Sequence, residues 1–586
     1  MENAEAAAAP VRVAAVQSGR NPAVAAAHLH PRIAYFSMEI ALASEIPTYS
    51  GGLGVLAGDV LLSAADLGLP VVGVSMVHRE GYFVQELDAE GVQREHPDRW
   101  DPAARLRAVD ATVELELEGR RVRIGAWRFD LVGRGGALVP VFLLDTDLEG
   151  NDPRDRALVG SLYGGDARYR LAQETILGYG GAALLERLGL ADGISTYHLN
   201  EGHSALLIAA LLERRLAAAG SAEPSDADLA AIRTHFAFTT HTPVPAGHDR
   251  FERSLAEALL GPRRLHLLER LGALDDGHVN MSRLALAGSR YTNGVAMRHG
   301  EVSRALFGDA RIGAITNGVH HVRWTAPALA ALLDRRLPRW REDAAYLRHA
   351  IGLPLDELGA AHRSAKERLF TTIAVRGGPR LDPDRLTLGF ARRAAAYKRG
   401  ALVFSDLERL RAVAEREGPL QFVFGGKAHP QDADGKAVIA RIFAAARALG
   451  PAVSVVYLAN YEMALAAQIV AGVDLWLSTP RPPLEASGTS GMKAALNGVP
   501  SLSTLDGWWV EGCVEGVTGW AIGEGRGDLP DEADAAALYA RLAEIVPLFY
   551  REIERFAWIA RNAIALNGSY FNTQRMVEQY ALAAYA

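Results

Sequence analysis

The sequence predicts an α/β protein built from two doubly wound, Rossmann-like domains that face each other across a cleft. Two observations support this fold class: apolar, β-rich runs alternate with helix-length segments in both halves of the chain, and in each half a glycine-rich loop leads into a helix. The length of 586 residues exceeds the size at which a single core stops growing. We therefore predict an alanine-rich arm at residues 1–30 and domains at residues 31–315 and 316–586.

The composition of the chain argues against several classes of protein. The net charge is −7 with both signs interspersed, which argues against nonspecific nucleic-acid binding. The single cysteine, Cys513, excludes a disulfide framework and a cysteine zinc cluster and suits a reducing cytoplasm. The sequence has no run of eighteen apolar residues and no basic leader followed by an apolar run. We therefore expect a cytoplasmic protein that does not span or bind a membrane.

The first domain opens with a βαβ unit around the glycine loop Tyr49 to Val60. The G-x-G-x-x-A pattern from Gly52 also fits the dinucleotide fingerprint, with Glu80 in the region where such folds place a ribose acid. That fingerprint requires a strand directly before its first glycine, whereas Ala43 to Ser50 intervene here. The pattern is therefore a weak sign of nucleotide binding.

Polar residues follow later strands of this domain, beyond a strand meander that we predict between Ala111 and Asp145 and a helix that we predict from Tyr169 to Leu188. Glu201, His203 and His241 follow apolar runs, and in open α/β sheets ligands bind beyond the carboxyl ends of the strands. The histidine spacings do not place ligands on one helical face, and no H-E-x-x-H is present. We therefore predict a ligand crevice without a metal.

The second domain repeats the alternation of strands and helices. A helical period from Arg341 to Val375 precedes five apolar runs, which we expect to form a parallel sheet. Helices from Asp531 to Ala586 would pack alongside, and we expect the last of them to cross back to the first domain.

The most informative stretch runs from Pro483 to Asn497, between a buried strand and a short helix. A helix N-terminus leaves N–H groups unpaired, and Gly488 and Gly491 let those groups approach an anion closely. Lys493 opposes the helix dipole in the first turn, so it is either an incidental solvated residue or one required for chemistry. An amine beside an anion cradle matches what pyridoxal 5′-phosphate requires.

A basic run follows an earlier strand of this domain: Arg392, Arg393, Lys398 and Arg399 lie within eight residues. Such a run is often a solvated face. At the carboxyl end of a strand, in a protein of net negative charge, we interpret it as an anion site.

The segment E-A-S-G-T-S-G-M-K-A-A-L-N-G, Glu485 to Gly498, resembles the cofactor-lysine segment of the α-glucan phosphorylases, the glycogen, starch and maltodextrin phosphorylase family. Tyr35 to Glu39, Gly51 to Gly54 and His78 to Gln85 resemble further segments of that family, and matches extend from Arg32 to Tyr580. The resemblance implies the glycosyltransferase-B architecture and pyridoxal 5′-phosphate. It also implies reversible phosphorolysis of terminal α-1,4-glucosyl bonds in glucan or maltodextrin by inorganic phosphate, which gives glucose 1-phosphate with retained configuration.

The same resemblance implies roles for individual residues. The catalytic set would be Lys493, Arg393, Lys398 and His241. The cofactor would be held by Lys493, Thr489, Ser490, Gly491, Arg392, Lys398, Tyr461 and Gly52. Substrate would be bound by Glu485, Ser487, Gly488, Asn317, His241, Leu53, Glu39 and Glu201. Glu201 replaces the family's usual aspartate, Arg392 its usual lysine, and Ala394 to Ala396 a more polar run.

The sequence also bears on allosteric regulation and on two alternative functions. The chain is shorter than the muscle and plant enzymes, so we expect it to lack their N-terminal regulatory portion and their allosteric control. A nucleotide-sugar glycosyltransferase of glycogen-synthase type would share the fold, but its second glutamate would fall at Lys493. A catalytically silent glucan-binding protein is the other alternative. Preferred glucan length, physiological direction and oligomeric state, a homodimer included, stay open.

Overall fold

The computed structural model of the protein describes residues 30–244, 247–308 and 311–586. The predicted arm, residues 1–30, lies outside the described residues except for His30. The strands up to residue 314 are β1 Ile33–Phe36, β2 Val71–Met76, β3 Val84–Leu87, β4 Gln93–His96, β5 Arg107–Ala108, β6 Val113–Leu117, β7 Arg120–Val132, β8 Leu138–Asp145, β9 Thr196–Asn200, β10 Phe236–Thr239, β11 Arg250–Glu252, β12 Leu274–Asp275, β13 His278–Asn280, β14 Tyr291–Gly294 and β15 Gly313–Ala314. The later strands are β16 Leu386–Ala391, β17 Leu420–Gly425, β18 Val453–Leu458, β19 Leu475–Ser478, β20 Ser501–Thr504 and β21 Gly519–Ile522.

Helices connect and cover these strands. In the first half they span Gly52–Asp66, Pro153–Arg156, Ala167–Thr175, Gly181–Arg187, Leu206–Ala219, Asp226–Arg233, Arg253–Leu260, Pro262–Arg270, Met281–Gly288 and Met297–Phe307. In the second half they span His321–Trp324, Pro327–Arg336, Leu355–Val375, Leu407–Glu417, Ala433–Ala448, Met463–Gly472, Thr489–Leu496, Trp509–Gly512, Asp531–Arg551, Ile553–Asn562 and Thr573–Ala583.

The second sheet has the doubly wound order. Its strands run β18-β17-β16-β19-β20-β21, and every neighbouring pair is parallel. Numbered from β16, this is the order 3-2-1-4-5-6 of dinucleotide-binding folds. The chain therefore reverses direction across the sheet between β16 and β19, and the loops that follow these two strands diverge there.

The first sheet combines a parallel core with the predicted meander. Its path is β15-β14-β10-β9-β1-β2-β8-β7-β5, parallel as far as β8 and antiparallel from β8 to β7. The strand β6 pairs with β7 alone. Here the direction changes at β1, which lies between β2 and β9. The predicted fold class, two doubly wound Rossmann-like units, is confirmed, whereas the boundary at residues 315 and 316 stays a prediction.

Two predicted helices are divided. The period from Arg341 to Val375 contains a 3₁₀ segment, Ala344–Gly352, and the α-helix begins only at Leu355. Pro354 is the N-cap of that helix, because a proline cannot donate an intrahelical hydrogen bond but suits a helix start. The helix predicted from Tyr169 to Leu188 is interrupted by a π-turn at Ile176–Gly180.

The last helix, Thr573–Ala583, returns to the first sheet as expected. Its Tyr580 is buried in the first core, and the hydroxyl lies 3.0 Å from Thr239 Oγ1 and accepts from Asn293 Nδ2 at 3.1 Å. Beyond the helix, the Tyr585 hydroxyl lies 2.7 Å from His198 Nδ1. Tyr580 and Tyr585 thus complete the core of the opposite unit.

A hairpin of the first unit also docks on the second. The strands β3 and β4 pair with each other, and their glutamines contact the backbone beyond β17. Gln93 Nε2 donates to Ala428 O at 2.9 Å and its Oε1 accepts from Ala428 N at 2.9 Å, while Gln85 Nε2 donates to Gly426 O at 2.9 Å. Glu95 forms an ion pair with Lys436 at 2.7 Å. We call residues 84–96 the docking hairpin.

Candidate active site

The predicted site residues follow the strands at which each sheet changes direction. Arg392 and Arg393 come directly after β16, and Glu485 lies on the loop beyond β19. Glu39 follows β1 and Glu201 follows β9. This is where open α/β sheets bind ligands, because the two diverging loops leave a crevice between them.

The carboxylate of Glu485 is held by two of the predicted cations. Both its oxygens accept from Lys398 Nζ, at 2.7 and 2.6 Å, and Oε2 also accepts from Arg392 Nη2 at 2.7 Å. All three side chains are at least 90% buried. Burial alone would raise the pKa of Glu485, but the two cations lower it below its usual range. We call Arg392, Lys398 and Glu485 the buried ion cluster.

Arg393 differs from its basic neighbours because it is exposed. Its guanidinium lies near Tyr397, and the phenol rings of Tyr82 and Tyr163 also lie near enough to interact with its charge. Among the described residues no carboxylate lies within ion-pair distance of it. The guanidinium is thus surrounded by rings from both units and remains accessible to an anion in the cleft.

Arg399, which the basic run grouped with the anion site, has a structural task instead. Its guanidinium donates to the carbonyl oxygens of Thr479 and Pro480, both at 2.9 Å, and pairs with Asp531 and Asp534. Its φ of 49° turns the chain so that the side chain lies under the loop beyond β19. For Arg399 the anion-site interpretation is therefore wrong.

Lys493 lies in the helix Thr489–Leu496 and is buried. Its Nζ lies 3.9 Å from the centre of the Trp324 ring, and no hydrogen bond to the amine is present among the described residues. Burial lowers the pKa of this amine to about 8, against the opposing effect of the Asp59 carboxylate. About a tenth of the amine is therefore unprotonated and nucleophilic at pH 7, far more than for an ordinary lysine.

The glycines before Lys493 serve two purposes. Gly488, the N-cap of the helix, has a φ of 92° and makes no side-chain cap, so the first N–H groups near Thr489 and Ser490 are left for another acceptor. A Cβ on Gly491 would lie 2.8 Å from the Trp508 ring. Gly491 is thus required for packing as well as for any approach of an anion.

The glycine loop of the first unit is closed by a carboxylate. Glu39 Oε2 accepts from the backbone N–H of Ser50 at 2.6 Å and of Gly51 at 3.3 Å, and Oε1 accepts from the Tyr163 hydroxyl at 2.8 Å. Burial raises the pKa of Glu39 despite these donors. Gly52 and Leu53 begin the next helix, and a Cβ on Gly52 would meet nothing within 4 Å. As far as the described residues go, the start of that helix therefore faces open space.

His241 and Glu201 are joined by a hydrogen bond at the ends of β10 and β9. Glu201 Oε2 accepts from the His241 backbone N–H at 2.8 Å and from the Thr242 hydroxyl at 3.0 Å, and Oε1 accepts from Gly202 N at 2.9 Å. His241 Nε2 lies 2.8 Å from Asn200 Oδ1, and burial lowers the pKa of the imidazole well below its usual value. Glu201 thus orients the His241 loop with both oxygens engaged.

Two of the predicted sugar-binding residues carry buried polar atoms without a partner among the described residues. These atoms are Asn317 Oδ1 and Ser487 Oγ, and the two residues are 3% and 4% exposed. Tyr461 lies close to Gly425 at the end of β17, where a Cβ on the glycine would be 3.3 Å from its ring. Buried polar groups are normally hydrogen-bonded, so unsatisfied ones in a crevice favour a polar ligand.

Three residues of the site were missed at the sequence level. Asp506 accepts from the N–H groups of Glu485 at 2.8 Å and Gly507 at 2.9 Å, and burial raises its pKa to about 7. The other two are Trp324, whose ring lies against the Lys493 amine, and Asp59, which accepts a hydrogen bond from the Trp324 indole. The sequence shows Asp59 as a charged residue among the apolar residues of helix Gly52–Asp66, but that pattern does not reveal its partner.

The described ranges contain neither a cluster of metal ligands nor a membrane-spanning helix. No group of three or more histidine, cysteine, aspartate or glutamate side chains there could hold a metal ion. None of the described helices is both long and apolar enough to cross a membrane.

Comparison with known proteins places this geometry in context. The family described as "Carbohydrate phosphorylase" matches residues 268–517. The chain is 37% identical over 595 residues to a maltodextrin phosphorylase of Thermococcus litoralis, covering 94% of this chain and 70% of that protein. It is 36% identical over 632 residues to a glycogen phosphorylase of Mycobacterium tuberculosis, covering 97% and 72%, and 34% identical over 608 residues to a glycogen phosphorylase of Aquifex aeolicus, covering 94% and 85%.

Proposed function

Because this chain belongs to the carbohydrate phosphorylase family and is an α-glucan phosphorylase, we propose that it releases terminal α-1,4-linked glucose from glucan or maltodextrin as glucose 1-phosphate. The reaction is reversible, retains the configuration at the anomeric carbon and uses pyridoxal 5′-phosphate. Inorganic phosphate is the second substrate.

The observation that carries the proposal is the state of Lys493. Its amine is buried, has a pKa of about 8 and lies beside a helix start that none of the described side chains caps. These are the properties that the aldehyde and the phosphate of the cofactor require. Open space at Gly52 and the nearby cations of the buried ion cluster fit the same group. Lys493, Thr489, Ser490, Gly491, Arg392, Lys398, Tyr461 and Gly52 would hold it.

The reaction requires positive charge around phosphate groups and donors and acceptors around the glucosyl unit. When bound, the cofactor supplies a phosphate that can exchange a proton with the substrate phosphate. Arg393, exposed and without a carboxylate partner in the described part of the chain, would clamp inorganic phosphate with two parallel N–H donors. Such fixed charges stabilise a transition state without reorganisation.

The sugar would be oriented by groups on both units. Asn317 Oδ1 and Ser487 Oγ have unused hydrogen-bonding capacity, and His241 is held neutral beside Asn200. A neutral imidazole can bind a hydroxyl without adding charge near the phosphates. Glu39, Leu53, Gly488, Glu485 and Glu201 would line or support the same pocket. Glycosidases need two carboxylates across the bond, whereas here the phosphate itself would protonate the leaving oxygen.

The rival synthase-type function has no support from a second glutamate, since Lys493 occupies that position. A silent binding protein would have no need of a buried amine with a lowered pKa. The test of the proposal is to incubate the purified protein with maltodextrin and phosphate and to measure glucose 1-phosphate and its anomeric configuration. Borohydride reduction and peptide mapping should label Lys493, and Lys493→Ala should lose both the label and the product. Product formation without any label on Lys493 would contradict the cofactor assignment, and the absence of product would contradict the activity.

A further inference from the structure

The indole beneath Lys493 is itself held by a single buried carboxylate. Asp59 lies within helix Gly52–Asp66 and is 1% exposed. Its Oδ2 accepts from Trp324 Nε1 at 2.6 Å and from the backbone N–H of His320 at 3.0 Å, and Oδ1 accepts from Arg323 Nη1 at 3.1 Å. Three donors from one short segment thus converge on one side chain.

We propose that Asp59 is a positioning residue for Lys493: it fixes the Trp324 indole on which the amine rests and keeps a negative charge beside that amine. The inference rests on the proposed function, because it concerns the lysine assigned to the cofactor. The Asn497 side chain supports the other end of the same arrangement, since its Nδ2 donates to Trp324 O at 2.8 Å and its Oδ1 accepts from Ala326 N at 2.8 Å. The ring is therefore fixed both at its indole nitrogen and at its backbone.

Few charged groups influence the protonation of the Lys493 amine, so their effects can be distinguished. Asp59 favours the protonated amine, whereas Arg323 disfavours it. The other segments packed against the lysine's helix, Met463–Gly472, Ala563–Gly568, β19 and β20, carry no ionisable side chain. The face of the Trp324 indole, 3.9 Å from Nζ, also attracts the protonated amine. Asp59 is therefore the one carboxylate among these groups that opposes the effect of burial.

The same helix offers a matched control. Asp66 lies two turns further along, and its Oδ2 lies 3.1 Å from His320 Nε2, so it holds the same segment. Its other partner is Arg134, which pairs with it at 3.0 Å, and it is not among the charges that act on Lys493. Loss of Asp66 would weaken the segment without removing charge from the amine.

The experiment measures imine formation between the full-length, cofactor-stripped protein and pyridoxal 5′-phosphate from pH 6 to 10, by absorbance and by borohydride trapping at Lys493. The amine adds to the aldehyde carbon and water leaves, so the rate follows the unprotonated fraction of the amine. Wild-type protein should show a midpoint near pH 8. Asp59→Asn should lower that midpoint by about one unit, and Asp66→Asn should leave it unchanged.

A second variant separates position from charge. Trp324→Phe keeps a flat ring and the Asp59 charge but loses the indole N–H, so the midpoint should remain near the wild-type value while the plateau rate falls about tenfold, equivalent to ~1.4 kcal/mol. It also carries the test if Asp59→Asn fails to fold. An unchanged midpoint in Asp59→Asn, an equal shift in Asp66→Asn, or a wild-type plateau rate in Trp324→Phe would overturn the inference. No trapping at Lys493 in the wild-type protein would instead overturn the proposed function.

Discussion

The Lys398 ammonium lies 2.6 and 2.7 Å from the two carboxylate oxygens of Glu485. With Arg392 on the same carboxylate, the chain places its own anion on two cations that we assign to the cofactor phosphate. Glu39 does the same at the glycine loop, where it accepts from two backbone N–H groups. Carboxylates of the chain thus accept from the donors at both places.

Glu485→Gln should strengthen anion binding by the cofactor-stripped protein. The neutral amide keeps the size of the side chain but leaves the charges of Arg392 and Lys398 uncompensated. We expect pyridoxal 5′-phosphate and inorganic phosphate to bind about tenfold more tightly, or ~1.4 kcal/mol, and the variant to be less stable than wild type until phosphate is added. Titration calorimetry and thermal unfolding across phosphate concentrations measure both. Weaker phosphate binding than in the wild-type protein would contradict this role of Glu485.

Asp506 should make the stability of the cofactor-stripped protein depend on pH. Its pKa is raised to about 7 in the folded state, mainly by burial, against about 3.9 when unfolded. The folded state therefore favours the protonated acid. Its contribution to stability is complete below about pH 4 and is lost as the pH rises through about 7, by roughly 2–4 kcal/mol.

Urea unfolding at pH 5, 6, 7 and 8 gives the free energy of unfolding of the wild-type protein and of Asp506→Asn. The difference between the two isolates Asp506, because the other groups titrate in both proteins. The asparagine cannot ionise, so the difference between the two free energies of unfolding should change across this range. Parallel curves would show that folding does not raise the pKa of Asp506.

Arg393→Lys should impair catalysis without loss of the cofactor. Lysine keeps the charge but loses the two parallel donors of the guanidinium. We expect turnover to fall by roughly 10²–10³-fold, as for removal of one preorganised donor, together with weaker phosphate binding. Kinetics in both directions, with bound pyridoxal 5′-phosphate quantified in the same preparation, provide the measurement. Arg409→Lys, at an exposed arginine over Tyr539, is the control, and equal kinetics in the two variants would make Arg393 a solvated surface residue.

Gln93→Ala should loosen the docking hairpin. Its side chain makes two hydrogen bonds with Ala428, one as donor and one as acceptor, across the two units. Their loss should cost about 1–3 kcal/mol and speed hydrogen exchange at the Ala428 amide. Gln468→Ala removes a glutamine bond within the second unit, to Thr372 at 2.5 Å, and should leave that amide protected. An unchanged rate of hydrogen exchange at the Ala428 amide in Gln93→Ala would mean that other contacts hold the docking hairpin on the second unit.

The sequence was most informative where periodicity or a dense motif determined the outcome. The order of alternating strands and helices predicted both sheets, and the glycine-rich turn pointed to Lys493. What it could not predict depends on partners that are distant in the chain. Arg399 and Arg393 have the same local pattern, but one meets Asp531 and Asp534 while the other stays exposed. Asp59 is a lone acid in an apolar helix until the fold brings Trp324 to it.

The return of helix Thr573–Ala583 to the first core has a consequence for biosynthesis. Thr239 and Asn293, which contact Tyr580, are synthesised long before Tyr580 itself. The first sheet can form early, but its interior stays open to solvent until the rest of the chain has been translated. Nascent chains stalled within the second half should therefore present an unfilled apolar surface, and a peptide with the sequence of residues 573–586 supplied in trans should occupy it.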